Sequence, residues 1–226
     1  FMNATGWPAK NHYTTAGDLA KLAKAIIYDH PEHYATYAEK EFTYNKIRQP
    51  NRNKLLWRDA SVDGLKTGHT EEAGYCLVAS AERNNTRLIS VVMGTRSEEA
   101  RAAESQKLLT YGFRFFESVK SYSAQEELVE SKVWMGAKDT VKLGTVNDIW
   151  LTIPRGAEND IKTELDFPSE LRAPLKAGDS IGTLKLMLGD EVLHESPLTA
   201  LEDVDTSGFF KKIWHSIILF FMGLIS

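Results

Sequence analysis

The sequence predicts an α+β fold: a layered domain of strands and covering helices, then a small all-β domain, then a terminal amphipathic helix. Three observations carry this. Strand-like apolar stretches between residues 62 and 95 are flanked by helical periodicity at residues 15–29 and 97–116, the pattern of a sheet covered by helices. From Glu126 to about Asp205, short alternating stretches separated by turn residues replace the helical spacing. Residues 209–226 read FFKKIWHSIILFFMGLIS, apolar on one face of a helix and polar on the other. The expected boundaries are residues 1–118, 119–206 and 207–226.

Taken in order, Thr15 caps a helix, with Asp18 three residues on. Leu19, Leu22, Ala23, Ile26 and Ile27 form its apolar face, and Asp29-His30-Pro31 ends it. Glu32 to Lys40 predicts a short second helix and Glu41 to Tyr44 an extended piece. Asn45 to Lys54, polar and holding Pro50, predicts a loop. Leu65 to Thr70 and Gly74 to Glu82 predict strands, and Asn84-Asn85 a hairpin turn. Arg87 to Thr95 is largely apolar and predicts a central strand. Arg83 and Arg87 read as surface charges. Ser97 caps a long helix with Glu98 and Glu99 in its first turn; its expected apolar face is Ala100, Ala103, Leu108, Leu109, Phe113 and Phe116. Ser118 to Ala124 reads as a polar connector. Trp150 to Ile153 alternates, and Thr183 to Glu195 around Gly189-Asp190 predicts a hairpin.

The composition bounds the function. A chain of 226 residues, 42% hydrophobic and 26% charged, suits one large or two small domains. A net charge of −4 gives no electrostatic basis for nucleic-acid binding. One cysteine, Cys76, excludes an internal disulfide and reads as a small buried residue. His30 and His33 lack a third ligand, so no metal and no cofactor is expected. Phe1 to Pro8 lacks the basic-then-apolar pattern of a leader and reads like the middle of a domain. The chain is therefore expected to be a fragment whose N-terminal part is missing.

Lys66-Thr67-Gly68 carries the chemistry. It sets a cation, a hydroxyl and a glycine side by side within Asp63-Gly64-Leu65-Lys66-Thr67-Gly68-His69-Thr70, ahead of Gly74-Tyr75 and Leu77 to Ser80. Gln49-Pro50-Asn51-Arg52-Asn53 lies upstream; Leu108 to Phe116 and Leu151 to Gly156 lie downstream. Over essentially all 226 residues this closely resembles the low-molecular-mass penicillin-binding proteins, D-alanyl-D-alanine carboxypeptidases of the penicillin-binding protein 5 type. The resemblance implies the C-terminal part of a serine β-lactamase/transpeptidase-like domain, followed by the β domain and a membrane helix. It implies removal of the terminal D-alanine from peptidoglycan pentapeptides through a serine acyl-enzyme, with β-lactams acylating the same serine.

By that resemblance, Lys66 supplies positive charge to the substrate carboxylate and the proton-transfer network. Thr67 hydrogen-bonds the carboxylate, Gly68 lets the substrate backbone lie close, and the His69 backbone N–H is an oxyanion donor. Arg52 and Arg101 match arginines near the carboxylate end. The partner motifs Ser-x-x-Lys and Ser-x-Asn are absent from these 226 residues, so the chain alone is expected to be inactive. In residues 209–226 a basic arc of Lys211, Lys212 and His215 opposes an apolar arc including Trp214, Phe220 and Phe221. With Phe209 and Phe210, this predicts a helix lying in the membrane plane, its basic residues toward anionic headgroups; the resemblance implies the periplasmic face of the bacterial inner membrane. A second reading is a non-catalytic, membrane-peripheral module that docks cell-wall synthesis proteins.

Overall fold

The computed structural model describes residues 1–225, except the side chains of Leu219, Phe220 and residues 222–225. The chain forms two compact units, Phe1–Glu117 and Ser118–Ser226.

The first unit opens on a turn and then helix α1 (Ala16–Asp29), whose cap Thr15 accepts the Asp18 N–H at 3.1 Å. Helix α2 (Pro31–Tyr34) and a 3-10 turn at Ala35–Ala38 take the place of the expected second helix. Strands β1 (Glu41–Tyr44) and β2 (Ile47–Pro50) form a hairpin where a loop is expected after Tyr44. Asn45 and Lys46 both adopt positive φ, as a two-residue hairpin turn requires. Pro50, at the end of β2 in a two-stranded sheet, leaves that pairing intact.

After helix α3 (Leu55–Arg58) come β3 (Val62–Thr70), β4 (Gly74–Arg83) and β5 (Thr86–Thr95), an antiparallel sheet in the order β3-β4-β5. β5 is thus an edge strand, against the central position its apolar sequence predicts. Its residues are apolar because helices α1 and α4 (Glu98–Phe115) both contact it. One core joins Leu55, Val62, Leu77, Ala79, Ala81, Ala102 and Leu109; the other joins Ala23, Ile27, Tyr34 and Leu65. The face α4 buries is Arg101, Ala102, Ser105 and Leu109, with Leu108 49% exposed. A face containing a buried arginine and serine escapes a search for apolar residues alone.

Two carboxylates tie the sheet together. Asp59 accepts from the Ser61 hydroxyl at 2.6 Å, Arg83 at 2.5 Å and Gln106 at 3.1 Å. Burial works to raise its carboxyl, but Ser61, Gln106 and Arg83 outweigh it and hold the group down at about 2. Asp63 accepts from Tyr34 Oη at 2.5 Å and from Arg87 at 2.7 Å, and Arg87 also reaches Ser80 at 2.8 Å. Arg83 lies over the Phe113 ring at 4.4 Å. Both arginines are therefore structural ties, in contrast to the surface charges expected of them. Gly64 is required by close approach, since an added Cβ would meet Tyr34 Oη at 2.6 Å.

Strand β6 (Phe116–Tyr122), which replaces the expected polar connector, runs across the boundary at Ser118, and the second unit continues with β7 (Glu127–Trp134), β8 (Thr140–Gly144), β9 (Ile149–Pro154), β10 (Ile161–Asp166), β11 (Leu171–Arg172), β12 (Ser180–Leu188) and β13 (Glu191–Ala200). β6 pairs with β9, and the others form a six-stranded sheet in the order β10-β12-β13-β8-β7-β11. β9 alternates buried and exposed along its whole length, with Ile149, Leu151 and Ile153 inward. Helix α5 (Phe209–Ile225) follows. No described helix is long and apolar enough to cross a membrane.

Candidate functional site

The Lys-Thr-Gly stretch lies on β3, at the edge of its sheet. Register sets Lys66 opposite Val78, Thr67 opposite Leu77, Gly68 opposite Cys76 and His69 opposite Tyr75. Leu65 is buried, whereas Lys66, Gly68 and His69 are exposed and Thr67 is half-buried. The four motif residues therefore form an accessible surface on a strand whose outer edge pairs with no described strand.

The Lys66 ammonium donates to the Thr67 carbonyl at 2.6 Å. Its proton affinity is held below that of an ordinary lysine, first by partial burial and then by the positive charges of Arg52 and Arg101. Arg52 is exposed beside β3, and its position is fixed by its neighbour Asn53, 1% exposed. The Asn53 side-chain amide donates to the Gly64 carbonyl at 2.9 Å, and its oxygen accepts the Leu55 N–H at 3.1 Å. Sequence reasoning missed Asn53, because one of three asparagines in an expected loop carries no sign of burial.

Arg101 comes from the first turns of α4 and is only 3% exposed. Its guanidinium donates to the Gly68 carbonyl at 3.3 Å and the Arg52 carbonyl at 3.5 Å, lies 5.6 Å from the Tyr75 ring centre and pairs with Glu98 at 3.5 Å. All five expected residues from 66 to 69 and at 101 are thus brought together, with Arg52 alongside. Arg101 thus links α4 to the backbone carbonyls of Gly68 and Arg52.

Gly68 is not demanded by internal packing: a Cβ there would meet nothing closer than Cys76 Cβ at 3.9 Å. The His69 ring stacks on Tyr75 with centres 3.9 Å apart. Cys76 is half-buried, less enclosed than expected. A cavity of about 480 Å³ continues from His69 past Thr70, Glu71 and Glu72 to the turn at Thr5–Pro8. Among the described residues no cluster of His, Cys, Asp or Glu could hold a metal ion.

In the second unit, α5 presents Phe209, Phe210, Trp214 and Phe221 outward. Lys211 pairs with Asp139 at 2.7 Å, and half-buried Lys212 lies on the same helix. That pair holds the Asp139 carboxyl below its usual range. His215 is 9% exposed, its Nδ1 accepts the Met135 N–H at 2.9 Å, and its ring meets Trp134 edge-on. The Lys211 charge is thus paired with a carboxylate of the same unit. The Phe220 side chain lies outside the described residues.

Comparison with known proteins bears on both units. Residues 1–97 match the family model "D-alanyl-D-alanine carboxypeptidase", and residues 116–206 match "Penicillin-binding protein 5, C-terminal domain". The chain is 45% identical over 98% of its length to D-alanyl-D-alanine carboxypeptidase DacC of Escherichia coli, covering 56% of that protein. It is 44% identical over its whole length to DacA of Haemophilus influenzae, covering 58% of it. Penicillin-binding protein 5 from Haemophilus influenzae matches in structure with a TM-score of 0.83 and 44% identity, over 91% of this chain and 60% of that one. The chain thus spans a little over half the length of these relatives. From its Lys-Thr-Gly edge strand to its β domain, the chain belongs to the D-alanyl-D-alanine carboxypeptidase family, of the penicillin-binding protein 5 kind.

Proposed function

We propose that these residues are the C-terminal part of a serine-type D-Ala-D-Ala carboxypeptidase that trims peptidoglycan pentapeptides and is acylated by β-lactams. The observation that carries the reading is the accessible Lys66-Thr67-Gly68 edge strand in a chain of this family. A peptide laid along that edge completes the sheet through its backbone. Its C-terminal carboxylate meets Lys66 and Thr67, and Gly68 admits its backbone at close range. The scissile carbonyl oxygen points at the His69 N–H. Arg52 adds positive charge at the carboxylate end, and Arg101 holds the strand in place.

The serine that attacks the carbonyl, and the lysine that takes its proton, are not among residues 1–226, since no serine there is followed by lysine at the third position. The chain thus supplies recognition and charge stabilisation for an acyl transfer whose bond-making groups lie elsewhere. Fluorescent-penicillin labelling tests this. A chain extended upstream through a Ser-x-x-Lys segment should form a covalent adduct, and residues 1–226 alone should not. An unlabelled extended chain, or a stable adduct on residues 1–226, would overturn the reading.

The same reading places α5 in the membrane plane at the periplasmic face of the inner membrane, with Phe209, Phe210, Trp214 and Phe221 toward lipid. Anionic liposomes should sediment the chain and leave behind a chain ending at residue 208. Equal sedimentation of both would remove the membrane role and leave room for the β domain as a docking module for cell-wall synthesis proteins.

A further inference from the structure

Resting on the carboxypeptidase reading above, we infer that Asn51 and Asn53 are positioning residues: they hold the Arg52 guanidinium beside β3 in the place where it binds the substrate carboxylate. Arg52 is an exposed cation, and its guanidinium has no ion-pair partner among the described residues. It stands near two further cations, close enough that Arg52 and Arg101 both disfavour the charge on Lys66. Glu98 pairs with Arg101 at 3.5 Å, but it is shared with Lys54 at 3.5 Å. Like charges gathered without a matching counterion repel one another. Something in the fold must hold them together, and their convergence suits an anion that arrives from outside.

The two asparagines are that frame. The Asn51 N–H donates to the Lys40 carbonyl at 2.7 Å, and its side-chain amide donates to the Glu39 carbonyl at 3.0 Å and the Tyr37 carbonyl at 3.3 Å. Its side-chain oxygen accepts the Asn53 N–H at 2.9 Å, which closes a tight turn with Arg52 in the middle. Asn53 then donates to the Gly64 carbonyl at 2.9 Å, two residues before Lys66 on the same strand. The residue before Arg52, the residue after it and its own carbonyl, which accepts from Arg101 at 3.5 Å, are all tied down. Only the side chain is left outward. Each asparagine donates and accepts at once, a pair of tasks that neither aspartate nor an apolar residue performs. A guanidinium held in this way loses little freedom when a carboxylate binds.

The test measures D-alanine release from a D-Ala-D-Ala peptide by the full-length enzyme and by Arg52→Ala, Asn51→Ala, Asn53→Ala and the two asparagine changes combined with Arg52→Ala. Each single variant should raise KM about tenfold, the scale of one charge-assisted contact, with kcat within about twofold of the parent. In the Arg52→Ala background neither asparagine change should raise KM further. Melting temperature reports folding. Folded variants with the parent KM overturn the inference. So do losses that multiply in the double variants, because the asparagines would then act on the strand and not through Arg52. If Asn53→Ala does not fold, Asn51→Ala decides by the same cycle, and failure of both to fold assigns the asparagines to stability alone and overturns the inference too. A parent enzyme that neither releases D-alanine nor reacts with penicillin overturns the carboxypeptidase reading, and the positioning role with it.

Discussion

Replacing Lys66 with alanine in the full-length enzyme is expected to slow acylation by benzylpenicillin by about 10²–10³-fold, the scale of losing one group that stabilises charge in an acyl-transfer transition state. The protein should remain folded, because Lys66 is exposed and its ammonium donates to the carbonyl of the next residue. Stopped-flow quenching of a fluorescent penicillin measures the rate, and thermal denaturation checks the fold. A variant acylated at the parent rate would remove Lys66 from the chemistry. The wild-type pH profile provides a second reading. In the proposed role the ammonium acts in its protonated form, and burial, Arg52 and Arg101 all push its deprotonation below that of a free lysine. The alkaline limb of acylation should therefore begin early. Removing a neighbouring cation favours the protonated form, so Arg52→Ala should move that limb to higher pH even as it weakens binding. A limb that stays in place would mean that Lys66 does not set it.

Arg101→Ala should act mainly through stability. It removes the donor from two backbone carbonyls, leaves Glu98 without this partner and opens a void where the guanidinium is 3% exposed. Such losses cost about 2–4 kcal/mol together, which lowers the melting temperature by roughly 5–15 °C in a chain of this size. The strand carrying Gly68 and His69 loosens with it, so acylation also slows. Arg101→Lys should recover only a minor part, since one ammonium cannot span both carbonyls. A direct carboxylate-binding arginine would behave differently, with an unchanged melting temperature and a raised KM. Calorimetry and steady-state kinetics on the same variants separate the two.

The sequence and the fold agree where local chemistry decides. Thr15 and Ser97 cap the helices their positions predict, because a hydroxyl ahead of a helical face has one obvious use. The alternation of Ile149, Leu151 and Ile153 fixes which side of β9 is buried. Lys66 to His69 could be picked out because adjacent residues carry the motif, and adjacency survives without a structure. What was hidden depends on distant partners. Arg83 and Arg87 look like solvated charges until Asp59 and Asp63 are seen to face them. The hydrogen bond from Arg101 to the Gly68 carbonyl, 33 residues back in the chain, could not be read from sequence spacing. β5 looks central because apolar sequence reports burial and not strand order, and here two helices do the burying. Trp7 and Glu71 share a cavity that no spacing rule would join.

On the proposed membrane role of α5, the contact of His215 with the Met135 N–H bears on how the domain would be held at a bilayer. A lipid-seeking helix on a flexible leash would let its cargo tumble, and orientation would average out. Here the imidazole, its edge contact with Trp134 and the Lys211–Asp139 pair dock the helix onto the β domain it belongs to. The helix then works as a bracket. On that proposal the plane taken up by the apolar face of α5 would be passed to the six-stranded sheet, and the membrane normal would become an axis of the domain itself.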